Sequence, residues 1–360
     1  MKKKLLFFGY TLDMGGAEKV MIDFLNVLKD HYEIDIALLK KQGVFLSSVP
    51  DGVNITEIRK GLISYILFRY VPFFRKLKIN KIANSKDFDV AIGFFEGRSA
   101  TWVADIRKNI KKIAWVHTDV AHFDIGISDK EAITSYSQMD KIVFVSEEAK
   151  KSFEKKYNIR PENLEVLYNL IDEKKILTQA EEIVEPNNKF TFINVGRMSP
   201  PKRQDRLIQI AKRLKDDGLQ FKIQIIGDGS EKERITKMIE DLDVSEVVEL
   251  LGLKTNPYPY VKQADCFVLT SDFEGFGIAV KESLLLGTPV ISTNVTGVRE
   301  VLKDGKYGIL CDVDTELIYS AMRSVLLTQS ILYDFNEKLK EFDCSNSSIV
   351  NKLFSIIERD

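Results

Sequence analysis

The chain has 360 residues, of which 44% are hydrophobic and 29% are charged, and its formal net charge is -1. This length is enough for two domains that each bury a core, and the near-neutral charge argues against bulk nucleic-acid binding. Three widely spaced cysteines with no CxxC or Cys/His pattern predict neither a zinc site nor a disulfide framework and indicate a cytoplasmic protein. The N-terminal apolar run stops at Gly9, too short for a signal peptide or a membrane span, and predicts a first strand.

The first half of the chain alternates short apolar runs with segments of helix length. The predicted strands cover residues 5–9, 34–39, 90–95, 113–117, 142–146 and 164–169. Continuous apolar strands separated by helices are typical of a parallel sheet that is covered on both faces. The sequence therefore predicts a Rossmann-like domain over residues 1–170.

A second series of apolar runs predicts a second domain over residues 190–330. Its strands are predicted at 190–197, 222–227, 248–251, 266–270, 289–293 and 308–311. The polar stretch 171–189 between the two series is the predicted linker, and 331–360 is helical in pattern. Two Rossmann-like halves of this kind are expected to face one another across a cleft, with ligands at the carboxyl ends of the strands.

The first loop carries a glycine pair, Gly15 and Gly16, between the first predicted strand and helix. Glycines allow close backbone approach to a ligand, and a helix start presents unpaired N–H groups. The pair thus predicts a ligand contact at the cleft. A tight turn with no such contact explains it equally well.

Residues 59–81 combine cations with large aromatic side chains and contain no acidic residue. The cations are Arg59, Lys60, Arg69, Arg75, Lys76, Lys78 and Lys81, and the aromatic residues are Tyr65, Phe68, Tyr70, Phe73 and Phe74. This composition suits the headgroup region of an anionic membrane. It equally suits two short domain helices, separated at Pro72, with a solvated basic face and a buried aromatic face.

His117 ends a predicted strand of the first domain, at the edge where doubly wound sheets place functional residues. Packing or hydrogen bonding within the protein is the alternative role for a single histidine at such a place.

The second domain opens with a strand followed by Gly196, Arg197 and, five positions further on, Lys202. Two cations at a helix start are suited to one diphosphate, because Arg can grip it bidentately while Lys acts as a point charge. A solvated charge pair is the alternative. The later Asp312 to Asp314 stretch is interpreted as a turn, not as a metal-binding DxD motif.

A Glu-x7-Glu stretch, Glu274 to Glu282, spans the junction between a predicted strand and a short apolar helix that starts at Ile278. Gly275 and Gly277 lie between the glutamates and give the backbone close access to a ligand. The helix start favours an anion, while carboxylates suit sugar hydroxyls. An exposed loop with two solvated carboxylates is the alternative, but together these features predict a nucleotide-sugar site.

This stretch resembles the signature of the retaining glycosyltransferases of family 4, which have the GT-B fold. The resemblance covers nearly the whole chain and is most specific over residues 190–300, where the Gly-Arg pair and the downstream lysine also match. It implies an α/β protein of two Rossmann-like domains whose last helix returns to the N-terminal, acceptor-side domain. It also implies a UDP-sugar donor, no cofactor and no metal.

The resemblance implies a role for each matched residue. Arg197 and Lys202 would neutralise the diphosphate, and Glu282 would bind the ribose. Glu274 would orient the transferred sugar beside the backbone of Gly275, Phe276, Gly277 and Ile278. Gly15, Gly16 and His117 would lie near the donor, and the loop at Leu253 would hold the base.

The implied acceptor is a saccharide, lipid-linked and used in cell-surface glycan synthesis, which places the enzyme in the cytoplasm or peripherally on the inner membrane face. The glutamate loop does not suit nucleic acid as a partner. Two alternatives stay open: a non-catalytic partner subunit that binds a nucleotide-sugar, and a GT-B-like epimerase or phosphorylase.

Overall fold

The structure is a computed structural model that describes residues 2–13, 15–59, 68 and 71–358. The chain divides into two compact units, Met1–Leu170 with Asn346–Asp360, and Ile171–Ser345. Each unit has its own hydrophobic core, so each is described by itself below.

The first unit contains a parallel sheet of seven strands among its described residues. In chain order they are β1 (Lys4–Gly9), β2 (Glu33–Leu38), β3 (Asn54–Glu57), β4 (Val90–Gly93), β5 (Lys111–Val116), β6 (Lys141–Phe144) and β7 (Leu164–Val166). Their order across the sheet is β3-β2-β1-β4-β5-β6-β7. The chain thus turns from one half of the sheet to the other between β1 and β4.

Helices cover this sheet, as continuous apolar strands require. They are α1 (Gly16–Leu28), α2 (Pro72–Ala83), α3 (Arg98–Ala104), α4 (Asp129–Tyr136), α5 (Glu147–Tyr157) and, at the end of the chain, α14 (Ser347–Glu358). The last helix is held by the Tyr32 hydroxyl, which donates to Glu358 at 2.7 Å, and by a Lys3–Glu358 ion pair. It packs in the first unit, as the predicted fold requires.

The second unit contains a parallel sheet in the order β10-β9-β8-β11-β12-β13. Its strands are β8 (Thr191–Val195), β9 (Lys222–Ile226), β10 (Val248–Gly252), β11 (Cys266–Leu269), β12 (Val290–Thr293) and β13 (Gly308–Cys311). Its helices are α6 (Glu173–Gln179), α7 (Gln204–Asp216), α8 (Lys232–Asp241), α9 (Tyr258–Gln263), α10 (Ile278–Leu285), α11 (Val298–Val301), α12 (Thr315–Leu327) and α13 (Ser330–Leu339). The prediction of two Rossmann-like parallel-sheet domains is confirmed.

One local expectation differs from the structure. Strand β3 was not predicted, because it is a partly exposed edge strand whose polar residues interrupt an apolar pattern. Phe68 is helical and Val71 is not, so Pro72 begins α2 at the break that the sequence predicted; the first helical turn has no use for its missing N–H. Residues 60–67, 69 and 70, which complete the predicted basic segment, lie outside the described residues.

The chain between and after the predicted domains is also ordered. The stretch 171–189, predicted as a linker, contains α6 and lies in the second unit. The helical pattern near the end forms two helices, α13 and α14, with residues 340–346 between them.

Candidate active site

Two loops of the second unit meet because their strands are neighbours. Strands β8 and β11 are parallel and hydrogen-bonded, with Cys266 in register with Phe192. Their carboxyl ends therefore open on the same edge of the sheet, at the point where the strand order reverses. This is the place where doubly wound sheets bind ligands.

The two loops are joined by an ion pair between Lys202 and Glu274. The Lys202 ammonium lies 2.6 and 2.8 Å from the two carboxylate oxygens of Glu274. The Ser271 hydroxyl donates a third hydrogen bond, at 2.7 Å, to one of these oxygens. The Glu274 side chain is 10% exposed and that of Lys202 28%, so the pair is partly shielded but open to a ligand.

Hydrogen bonds to main-chain carbonyls hold the two loops in this register. The Thr270 hydroxyl lies 3.0 Å from the carbonyl oxygens of both Lys202 and Arg203. The Asp272 N–H donates to the Pro201 carbonyl at 2.8 Å. The positions of Lys202 and Glu274 are thus fixed by main-chain contacts and not only by their own charges.

Two arginines and two aspartates further stabilise the contact between the two loops. Arg206, which is buried, donates to the Thr270 carbonyl at 2.8 Å and pairs with Asp272 at 2.7 Å. Arg203 adopts the left-handed conformation, at φ 50°, and its guanidinium pairs with Asp205 and Asp272. An Arg in this conformation is strained, so the two carboxylates help to hold the turn that presents Lys202.

Helix α10 starts directly after the glutamate loop. Gly277 precedes it with φ 80°, and a Cβ there would lie 2.7 Å from Val298 Cγ2, so both conformation and space favour glycine. The first-turn N–H groups, which start at Ile278, have no partner within the helix. Together with the helix dipole they favour binding of an anion. Phe276 is buried beneath this turn.

Glu282 lies one turn further along α10 and is buried. The Tyr258 hydroxyl, from α9, donates to its carboxylate at 3.3 Å. The two glutamates thus differ in setting, because Glu274 is paired with a cation on a loop while Glu282 is held by a phenol on a helix.

The remaining predicted residues of this unit lie on loops that follow strands. Arg197 is exposed in the loop after β8, and its carbonyl accepts a hydrogen bond from Gln204. Leu253 is exposed just after β10. Gly227, after β9, lies so close to this loop that a Cβ there would be 1.9 Å from the Gly196 carbonyl oxygen. The Gly227 turn therefore packs on the loop that carries Arg197.

In the first unit, the structure places the other predicted residues at the carboxyl edge of the sheet. Gly15 is the N-cap of α1 and Gly16 its first residue. His117 directly follows β5, and its ring packs against Phe94 with centroids 4.8 Å apart. Both ring nitrogens are buried without a hydrogen-bond partner among the described residues, and burial lowers the pKa of His117 to about 3. The imidazole is therefore neutral at physiological pH.

Glu96 is a residue that the sequence reasoning missed. It follows β4, and its carboxylate accepts a hydrogen bond from the backbone N–H of His117 at 3.1 Å. Burial raises the pKa of the Glu96 carboxyl. The signal that drew attention to His117, a polar residue just after a buried strand, also applies to Glu96 and would have found it.

Two further observations concern metals and the late aspartates. Within residues 2–13, 15–59, 68 and 71–358, no cluster of three or more His, Cys, Asp or Glu side chains is arranged to hold a metal ion. Asp314 is the N-cap of α12, where its carboxylate accepts from the Glu316 and Leu317 N–H groups. Asp314 therefore has a structural role at a helix start.

Two doubly wound parallel-sheet units in one chain are a feature of the GT-B fold. Family comparisons agree: residues 14–175 match Glycosyltransferase Family 4, and residues 176–342 match Glycosyl transferases group 1. The chain is a family 4-like glycosyltransferase with the GT-B fold.

Individual relatives extend this assignment over the full length. The chain is 28% identical over 352 residues, 94% of both chains, to the N-acetylgalactosamine-N,N'-diacetylbacillosaminyl-diphospho-undecaprenol 4-alpha-N-acetylgalactosaminyltransferase of Campylobacter jejuni. The fold of the present chain is similar to that of Anabaena HepE in complex with UDP and glucose. The TM-score is 0.80 at 18% sequence identity, and the match covers 99% of this chain and 100% of HepE. The fold is likewise similar to that of a point mutant of S. aureus TarM in a complex that includes UDP. The TM-score is 0.78, the sequence identity is 15%, and the match covers 99% of this chain and 100% of TarM.

Proposed function

We propose that this protein transfers a sugar from a UDP-sugar, with retention of configuration, to a lipid-linked saccharide in the synthesis of a cell-surface glycan. The observation that carries the proposal is the contact between Lys202 and Glu274 beside the start of α10. A cation, a carboxylate and free helix N–H groups at one sheet edge match the diphosphate and hydroxyl groups of a nucleotide-sugar.

The donor is proposed to bind along this edge with one residue for each chemical part. Lys202 and Arg197 take the diphosphate, and Glu282, deeper on α10, takes the ribose hydroxyls. Glu274 takes the hydroxyls of the transferred sugar, and the backbone near Leu253 takes the uracil. A carboxylate suits a vicinal diol because it can accept two hydrogen bonds at once.

Transfer breaks the bond between the sugar C1 and the diphosphate oxygen, and negative charge develops on the leaving group. Lys202, Arg197 and the first-turn N–H groups of α10 stabilise this charge, which is the task that a metal ion has in other sites. The charges are fixed before the reaction, because the loop hydrogen bonds hold Lys202 in place.

Retention is proposed to follow from attack on the same face that the diphosphate leaves. The acceptor oxygen forms its bond to C1 while its proton passes to the leaving phosphate oxygen, so no protein nucleophile is required. His117, neutral at physiological pH, contributes a hydrogen bond to the sugar and not a positive charge.

A lipid-linked acceptor is supported by the C. jejuni relative, whose name specifies a saccharide on diphospho-undecaprenol. Membrane contact is supported by α2, where Phe73, Phe74 and Leu77 are 65%, 45% and 53% exposed. If residues 59–81 were only domain helices, their aromatic side chains should be buried. Phe68 is buried, but Phe73 and Phe74 are exposed. Exposed apolar side chains beside lysines suit an anionic membrane surface.

Any such contact is peripheral in this proposal. In the part of the chain that the structure describes, no helix combines the length and the apolar character needed to cross a bilayer.

The proposal is tested first by donor selection. UDP-sugars are screened by thermal shift, because a ligand at 100 times its dissociation constant adds about 2.7 kcal/mol to stability. The selected donor is then incubated with p-nitrophenyl α-N-acetylgalactosaminide as a probe acceptor, and the product's anomeric configuration is read by proton NMR. An α-linked product from an α-linked donor supports the proposal. A β-linked product contradicts retention, and UDP-sugar binding without UDP release identifies a non-catalytic binding subunit.

A further inference from the structure

The first unit contains a cavity of about 570 Å³ that the donor-binding roles above do not use. Its lining includes residues that follow four neighbouring strands: Tyr10 after β1, Leu39 after β2, Arg59 after β3 and Glu96 after β4. These strands are consecutive in the sheet order, and the chain changes direction between β1 and β4. The cavity therefore lies at the carboxyl-edge position where parallel sheets bind ligands.

The walls of this cavity suit a sugar. Phe68 and Trp102 provide buried aromatic surface, with the Tyr10 ring 5.4 Å from that of Trp102. Arginines supply hydrogen-bond donors at the lining, and carboxylates supply acceptors. Pockets that combine an apolar wall with a few placed polar groups are typical of small-ligand sites, and sugar rings pack on aromatic faces.

Glu96 is a lining carboxylate that has hydrogen-bonding capacity left for a ligand and no cation partner among the described residues. Glu131 pairs with Arg75 at 3.6 Å, and Asp124 accepts from the Gly126 N–H at 2.8 Å. Glu96 accepts from the His117 backbone N–H and from its own backbone N–H, and it forms no ion pair with any described residue. Because an ionised carboxylate has about four acceptor sites, part of its capacity remains for a ligand.

A carboxylate enclosed in this way is costly to keep unless a ligand uses it. Glu96 is partly accessible, and the accessible part lies on the cavity. Arg98, two residues further on, lines the same cavity, donates through Nε to the Gly126 carbonyl at 3.2 Å and forms no ion pair among the described residues. An acceptor and a donor thus stand side by side without a mutual bond.

We propose that Glu96 positions the acceptor sugar by accepting a hydrogen bond from one of its hydroxyls in this cavity. The inference rests on the proposed transfer reaction and adds a residue to its acceptor side. Arg98 donates to the same sugar. Arg75 of α2 also lines the cavity, so an acceptor carried by a membrane at the exposed face of α2 has its sugar near this site.

The test replaces Glu96 with Gln, which keeps its size and an oxygen for the His117 N–H. With the probe acceptor p-nitrophenyl α-N-acetylgalactosaminide, Glu96→Gln should raise KM about 10- to 150-fold, the worth of a hydrogen bond to a charged group. UDP affinity and hydrolysis of the UDP-sugar without acceptor should stay at wild-type values. Glu96→Asp, which retains the charge, should recover part of the affinity. Glu162→Gln, at an exposed glutamate of the same unit, is the matched control.

A stability measurement separates positioning from a structural role. Because the pKa of Glu96 is raised, the folded protein loses stability as pH rises through that pKa and the buried carboxyl ionises. The nearest titrating and charged neighbours, Tyr10, His117 and Arg98, remain in the variant. Glu96→Gln should therefore be at least as stable as wild type, with a gain that grows as pH rises through the pKa of Glu96. A structural role predicts the opposite, a loss of stability.

Three outcomes overturn the proposal: an unchanged KM, a parallel loss of UDP binding, or a destabilised Glu96→Gln. If wild type neither hydrolyses donor nor transfers sugar, the proposed function fails while the cavity can still be tested. Calorimetric titration of the probe glycoside then decides. Binding that Glu96→Gln abolishes supports the sugar site, and equal binding or none overturns it.

Discussion

The Lys202 ammonium lies 2.6 and 2.8 Å from the carboxylate oxygens of Glu274, although the two residues are assigned to different parts of one donor. Without ligand, each neutralises the other. In the proposed donor site, a nucleotide-sugar would offer phosphate to Lys202 and hydroxyls to Glu274, so it would satisfy both partners when they separate. Free UDP offers only the phosphate and leaves Glu274 without its cation. We therefore expect the pair to favour the intact donor over the product.

A double-mutant cycle with Lys202→Met and Glu274→Gln should show this coupling in the unliganded protein. Contacting charges typically couple by about 0.5–3 kcal/mol, and partial exposure of Lys202 places the value in the lower half of that range. Saturating UDP should reduce the coupling, because Lys202 then binds phosphate. Unfolding free energies from urea titrations give both values, and a zero coupling without ligand would contradict the pairing.

The two glutamates should respond differently to loss of charge. Glu274→Gln removes the competitor for Lys202, so UDP affinity should be unchanged or higher while turnover falls about 10- to 150-fold, the worth of a charged hydrogen bond. Glu282→Gln removes the proposed ribose contact and should weaken UDP and the intact donor alike. Calorimetry with UDP and an initial-rate assay are sufficient. If both variants lose UDP affinity equally, the division of roles between the glutamates is wrong.

The fold was largely predictable because buried parallel strands leave continuous apolar runs. All six strands of the second unit were anticipated to within a few residues, whereas the polar edge strand β3 was not. The contact between Lys202 and Glu274 was not predictable in the same way. It depends on β8 lying beside β11, and periodicity along the chain says nothing about which strands are neighbours. Glu96 was missed although, like His117, it is a polar residue just after a buried strand.

Turnover should not require a divalent metal. Lys202, Arg197 and the helix start are proposed to stabilise the leaving diphosphate, so activity should survive dialysis against EDTA. A control with added Mg²⁺ or Mn²⁺ should change the rate little. An absolute requirement for either ion would overturn this account of leaving-group stabilisation.

Membrane binding should depend on the exposed apolar side chains of α2. Replacing Phe73, Phe74 and Leu77 with Ser should reduce co-sedimentation with anionic liposomes. Leu327→Ser, at a residue of α12 that is 56% exposed, should not. Binding should also fall with salt, since the Debye length shrinks from roughly 10 Å at 0.1 M to 3 Å at 1 M. Equal binding to neutral liposomes, or no effect of the triple substitution, would exclude α2 as the contact.

His117 should make the protein less stable in acid. Burial lowers its pKa to about 3 in the folded state, whereas an unfolded His titrates near 6.5, so between these values the unfolded chain binds a proton that the folded one does not. This contribution to stability is complete above about pH 6.5 and is lost as pH falls toward 3. His117→Gln should therefore flatten the dependence of urea midpoints on pH between 6.5 and 4, while His31→Gln, at an exposed position, should retain it. Glu96, whose pKa is raised, changes stability with pH in the opposite direction. Because it is present in both variants, its effect cancels when they are compared. An identical pH dependence in wild type and His117→Gln would show that the imidazole is not held neutral by the fold.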